Sequence, residues 1–88
     1  MIRKLLGFVL IHPKKEDFVF GVRLDDGLQV LAYSPTPVNA KTFKDFKEIE
    51  NFVLQLEEFD FDVAKLFDEG NRYIVEFETT VSSSPIKR

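Results

Sequence analysis

His12 is the sole imidazole in these 88 residues, and there is no cysteine. Acid–base work near neutral pH falls first to histidine. Nucleophilic work needs a hydroxyl or thiol held against a base and an orienting acid. His12 closes an apolar run and precedes Pro13-Lys14-Lys15, which suits a loop or capping histidine. Ser34 lies beside a proline turn, and Ser82, Ser83 and Ser84 fall near the C-terminal end, with no motif joining any of them to His12. Paired carboxylates serve glycoside chemistry when they flank a cleft, and such a cleft is not expected in so small a domain. The chain is read as non-enzymatic.

The residues also argue against metals and cofactors. Lack of cysteine removes thiolate sites and disulfides together, and one histidine precludes a multi-histidine centre within one chain. Asp60, Asp62, Asp68 and Glu69 offer hard oxygen donors without the acid–glycine–glutamate order of a calcium loop, so Asp60 or Asp62 is expected to cap a helix. Gly7, Gly21, Gly27 and Gly70 stand singly, and no phosphate-binding loop is formed. Gly7 and Gly21 interrupt strand-like runs, which marks a bulge or the close approach of another backbone or a large ring. No cofactor and no metal is expected.

Charge is the most informative chemical signal. Residues 1–44 carry a net charge of +3, residues 45–78 a net charge of -8 and residues 79–88 a net charge of +2. Glu48, Glu57, Glu58, Asp60, Asp62, Asp68 and Glu69 are expected to contribute to an acidic surface that repels nucleic acid and attracts basic protein partners. The alternative is a nucleic-acid contact through Lys14 and Lys15 on a hairpin loop, with sheet aromatics stacking on bases. The overall charge of -3 opposes it.

These residues need elements to hold them. Eighty-eight residues make one small domain, and ten phenylalanines point to an aromatic core. Residues 4–12 read as a strand apolar on both faces, with Leu6, Phe8 and Leu10 on one side and Leu5, Val9 and Ile11 on the other. The basic, apolar N-terminal run has no small-residue cleavage site after it, so it is read as this strand and not a leader, and the cytoplasm is the expected location. Residues 18–24 form a second strand, with Phe18, Phe20, Val22 and Leu24 on one face. For the Asp25-Asp26-Gly27 turn, a two-residue loop sets Leu24 opposite Gln29 and Arg23 opposite Val30. A three-residue loop ending in left-handed Gly27 sets Leu24 opposite Leu28 and Val22 opposite Val30. The longer loop sorts apolar from polar and is preferred. The third strand spans 28–33, and Pro35 and Pro37 end it.

Thr42 and Asp45 fit a capping box, and Phe43, Phe46, Ile49, Val53 and Leu56 recur at helical spacing to about residue 58. Residues 60–69 are read as a short second helix stopped by Gly70, although Phe59-Asp60-Phe61-Asp62-Val63 alternates like a strand. Residues 72–81 form the last strand, with Tyr73, Val75, Phe77 and Thr79 facing the core.

The expected fold is α+β: a four-stranded, mainly antiparallel sheet in the order β-β-β-α-(short α)-β, with the helices on one face. Residues 1–81 form the domain and 82–88 a disordered tail. The core should centre on Phe8, Phe18, Phe20, Val22, Val30, Phe46, Ile49, Val53, Leu56, Val75 and Phe77. The uncovered face would then carry Leu5, Val9, Ile11, Val19, Leu31, Tyr33 and Ile74. That is too much apolar surface for a monomer unless a second copy or a partner covers it, or the sheet curls over it. The expected function is a small protein-interaction module, regulatory or inhibitory. It would homodimerise through Val19, Leu31, Tyr33 and Ile74 and select partners through its carboxylates.

Overall fold

Alternating β-branched and aromatic residues in the first half of the chain form three consecutive strands, β1 (Lys4–Ile11), β2 (Phe18–Asp25) and β3 (Leu28–Ser34). A 3-10 turn at Pro37–Asn39 and one helix, α1 (Phe46–Val53), lead to β4 (Asp60–Asp68) and β5 (Tyr73–Ser82). The structure is a computed structural model that describes residues 3–56 and 58–83, with backbone alone at 23–25 and 28–29. All described pairings are antiparallel, in one five-stranded sheet of order β3-β2-β1-β4-β5. The class is α+β, with five strands among the described residues where four were expected and one α-helix among them where two were expected.

The fifth strand is residues 60–69, read from sequence as a short helix. The Phe59–Val63 alternation was the true signal. β4 lies between β1 and β5 and is covered on both sides, so Phe61 and Val63 point to one core and Ala64 and Leu66 to the other. Gly70, with φ 96°, belongs to the β4–β5 turn rather than to a helix end. There Glu69 N–H donates to the Arg72 carbonyl at 3.0 Å, and Asp68 Oδ1 accepts from Gly70 N–H at 2.7 Å.

The helix is shorter than its periodicity suggests. Its N-cap is Asp45, whose Oδ1 accepts from Glu48 N–H at 3.0 Å, while Glu48 Oε1 accepts from Lys44 N–H at 2.8 Å. This is a cap like the expected one, set one turn later than Thr42–Asp45, with Glu48 reaching the amide of Lys44 rather than that of the N-cap itself. Thr42 and Phe43 are extended instead, for a tertiary reason. β1 and β2 pair only at Ile11 and Phe18. Beyond that point the segment 41–43 bonds to both strands. Phe8 and Phe43 exchange two backbone hydrogen bonds of 2.8 Å, and Lys41 N–H donates to the Val19 carbonyl at 2.9 Å. The amides that would have begun the helix satisfy this fork.

Three β-bulges set the faces. Leu6 in β1, Phe20 in β2 and Glu78 in β5 are each the extra residue at a register shift. One inserted residue reverses the alternation beyond it. On the helix side, Leu10, Val19, Phe43, Ile49, Val53, Phe61 and Val63 form the main core, with Phe8, Leu31, Phe52, Leu56, Phe59 and Val81 against it. On the far side, Val9, Phe18, Ala64 and Leu66 form a smaller core with Ile11 and Ala40.

Several expected core residues therefore change places. Phe20 is 54% exposed and Phe77 64%, and Val22, Phe46 and Val75 are also exposed. The hairpin turn is the two-residue form: Asp26 (φ 54°) and Gly27 (φ 78°) both take positive φ, and Asp25 pairs with Leu28. That is the I′ geometry Asp-Gly favours. The bulge at Phe20 then restores a workable phase by setting Val22 opposite Leu31.

Candidate functional site

The polar groups with chemical potential meet at one end of the sheet. His12, Leu31, Tyr33, Glu58, Phe59, Asp60, Phe61, Ser82 and Ser83 line an open cleft of ≈ 390 Å³. His12 is placed there as a cap. Its Nδ1 accepts from the backbone N–H of Lys14 at 3.1 Å and of Lys15 at 3.2 Å, which puts the ring proton on Nε2. Its ring meets the Tyr33 ring edge-on, with centroids 5.6 Å apart. The Ser83 hydroxyl bonds the Phe59 backbone at 3.0 and 3.3 Å. These contacts fasten the β1–β2 turn and tie the end of β5 to the start of β4. They do not assemble a nucleophile with a base.

Tyr33 makes this cleft measurable. Burial, and secondarily the nearby Asp17 carboxylate, push its phenol above the usual tyrosine range. The folded state thus holds the proton more tightly than the unfolded state. The resulting stabilisation is complete below the ordinary value of about 10 and disappears as pH rises through the raised folded value. Denaturant melts from pH 8 to 11 should show the wild type losing stability above about pH 10, and Tyr33→Phe losing less of it. Equal alkaline losses in both proteins would place the sensitivity elsewhere.

The carboxylates are not gathered into one surface. Asp60 and Asp68 open and close β4, about 26 Å apart at strand rise. Glu58 and Asp60 edge the His12 cleft, while Asp62 lies on the far face of the sheet beside Glu16. Glu48 caps the helix and Asp68 the β4–β5 turn. Glu69 faces Arg3 at 3.6 Å and Arg72 at 3.1 Å. Glu57 lies outside the described residues. The length of β4 is what separates Asp68 from Asp60 and Asp62. Lys14 and Lys15 are exposed on the β1–β2 turn, where Glu16 and Asp17 follow directly and cancel their charge.

The expected apolar interface is corrected most. Val19 is 0% exposed, inside the main core, and Leu31 packs against that core. Tyr33 pairs with Val19 across β2–β3 and lies on the same side, in the His12 cleft. Ile74 pairs with Phe67 on the helix side as well. The phase of β3, and of β2 and β5 before their bulges, is opposite to the expected one relative to β1, so these four residues face inward or toward the helix side.

The other side carries the open surface. Ile11, Pro13, Glu16, Phe18, Asp62, Ala64, Val75 and Phe77 line a groove of ≈ 340 Å³. Tyr73, Val75 and Phe77 alternate along β5 on this face, and each is exposed. Their alternation is legible in the sequence; their side is not. Among the described residues, no three His, Cys, Asp or Glu side chains are grouped to hold a metal ion, and no helix is long and apolar enough to cross a membrane.

Among known proteins, no family model, no curated protein and no solved structure matches this chain.

Proposed function

We propose that this chain is a non-enzymatic protein-interaction module whose working surface is the far face of the sheet. The observation that carries the reading is Phe77, 64% exposed beside exposed Val75 and Tyr73, over an apolar groove. Large aromatics left in water on one contiguous face are what a partner surface buries, and such residues dominate interface energies. The two carboxylates on the groove, Glu16 and Asp62, would favour a partner with basic groups around an apolar centre. A homodimer is the simplest occupant. The neutral turn at Lys14 and Lys15 gives nucleic acid less to hold than their sequence spacing suggested.

Phe77→Asp tests this. Wild-type protein is expected to associate, with itself in sedimentation or with a protein retained in affinity capture. The variant should lose that association by about 30-fold or more, the scale of an interface hot spot, with an unchanged circular dichroism spectrum and melt. A wild type that binds nothing, or a variant that keeps every association, would remove this face as the interface.

A further inference from the structure

The exposed aromatics of the far face lie on a strand with an open edge. β5 ends the sheet, and among the described residues no strand pairs with its outer side. Long edges usually carry protection: prolines, charges or bulges. The opposite edge, β3, runs into Pro35 and Pro37. β5 has its bulge at Glu78, but from Tyr73 to Phe77 it offers Tyr-Ile-Val-Glu-Phe with one charge.

We infer that a second copy of this chain adds to that edge, joining two β5 strands antiparallel about a two-fold axis at Val75. The inference rests on the interaction reading above and names its occupant and register. A two-fold across antiparallel strands pairs residues on the same face, so few centres are possible. Centring on Glu76 sets that glutamate against itself. Centring on Phe77 sets Glu76 against Glu78 twice. Centring on Ile74 leaves Phe77 opposite Asn71 in the turn. Centring on Val75 sets Tyr73 against Phe77 twice, Val75 against Val75, Ile74 against Glu76 twice, and Arg72, which also faces Glu69, against Glu78, which also faces Lys65, twice. Only the last register covers all three exposed apolar residues of β5 and brings opposite charges together at both ends. It would make one continuous ten-stranded sheet with the two far faces side by side.

Cysteine cross-linking in the full chain, which has none of its own, tests the register. Across either kind of antiparallel pair the Cα atoms lie about 4.5–5.5 Å apart, within disulfide reach. After mild oxidation, Val75→Cys should form about ten-fold more covalent dimer than Thr79→Cys, whose copies lie about 26 Å apart in this register. Should Val75→Cys fold poorly, a mixture of Arg72→Cys and Glu78→Cys tests the same register from surface positions and should cross-link as the heterodimer. A wild-type dimer in sedimentation without preferential cross-linking at these positions would overturn the edge register and leave the apolar-face reading standing. A wild type that stays monomeric near millimolar concentration would overturn the inference itself, and Phe77→Asp in affinity capture then decides the broader reading.

Discussion

Val19→Asp is expected to leave the chain without a cooperative melt or a dispersed amide spectrum. Val19 is wholly buried among Leu10, Phe43, Ile49, Val53, Phe61 and Val63. The buried side chains of that cluster are all apolar, and the effective cost of burying an ionised carboxylate among them is several kcal/mol. The valine packing is lost as well, at a further ~1–3 kcal/mol. A domain of this size has about 4–13 kcal/mol in total, so the combined loss is comparable with all of it. Far-ultraviolet circular dichroism and a proton–nitrogen correlation spectrum are the checks. The comparison with Phe77→Asp makes the result specific. Both add one charge to a strand residue, yet one is expected to unfold the chain and the other only to free its surface. A well-dispersed Val19→Asp spectrum, melting near the wild type, would mean that Val19 faces solvent and that β2 has the opposite phase.

Gly7→Ala carries the second large effect. Gly7 has φ 142°, a conformation that L side chains rarely adopt. An added Cβ would stand 2.8 Å from the Phe43 carbonyl oxygen and 3.3 Å from Thr42 Cβ. The oxygen is backbone, and it accepts one of the two hydrogen bonds that bridge Phe43 to Phe8, so it cannot retreat without opening the fork. Strain and clash together should cost about 2–4 kcal/mol. At about 4–8 °C per kcal/mol, the melting temperature should fall by roughly 10–30 °C. Gly21→Ala is the control. It sits in β2, where an added Cβ meets nothing within 4 Å and no positive φ is required, so its melt should move little. Equal shifts for the two variants would show that loss of glycine, and not the approach of the 42–43 segment, sets the cost.

Gly7 also shows how far the sequence could be read. A glycine inside an apolar strand announced a bulge or a close backbone, and both are there: the bulge at Leu6 and the carbonyl of Phe43. The identity of the approaching segment was not legible. Thr42 and Phe43 stand at good helical spacing from Asp45 and Phe46, and only the parting of β1 and β2 beyond Ile11 gives their amides a better use. The same competition governs residues 60–69. Their pattern admits a short helix ended by glycine, and it admits a strand. Two neighbours, β1 and β5, each offering a full ladder, decided for the strand. Asp68, close to Asp60 and Asp62 along the chain, stands at the other end of β4 as a result.

By itself the sequence determined the class, the first three strands, the existence of α1 and its buried stripe at Ile49 and Val53, and an apolar excess that one helix cannot cover. Each of these follows from local periodicity or turn chemistry, which a short window contains. Which face the excess occupies was decided by the tertiary structure alone. A strand's alternation fixes which residues share a side, never which side is inside. That choice depends on bulges at Leu6, Phe20 and Glu78; Gly7 and Gly21 signal two of them, but which residue is extra, and so which side each strand turns inward, is set by pairing with another strand.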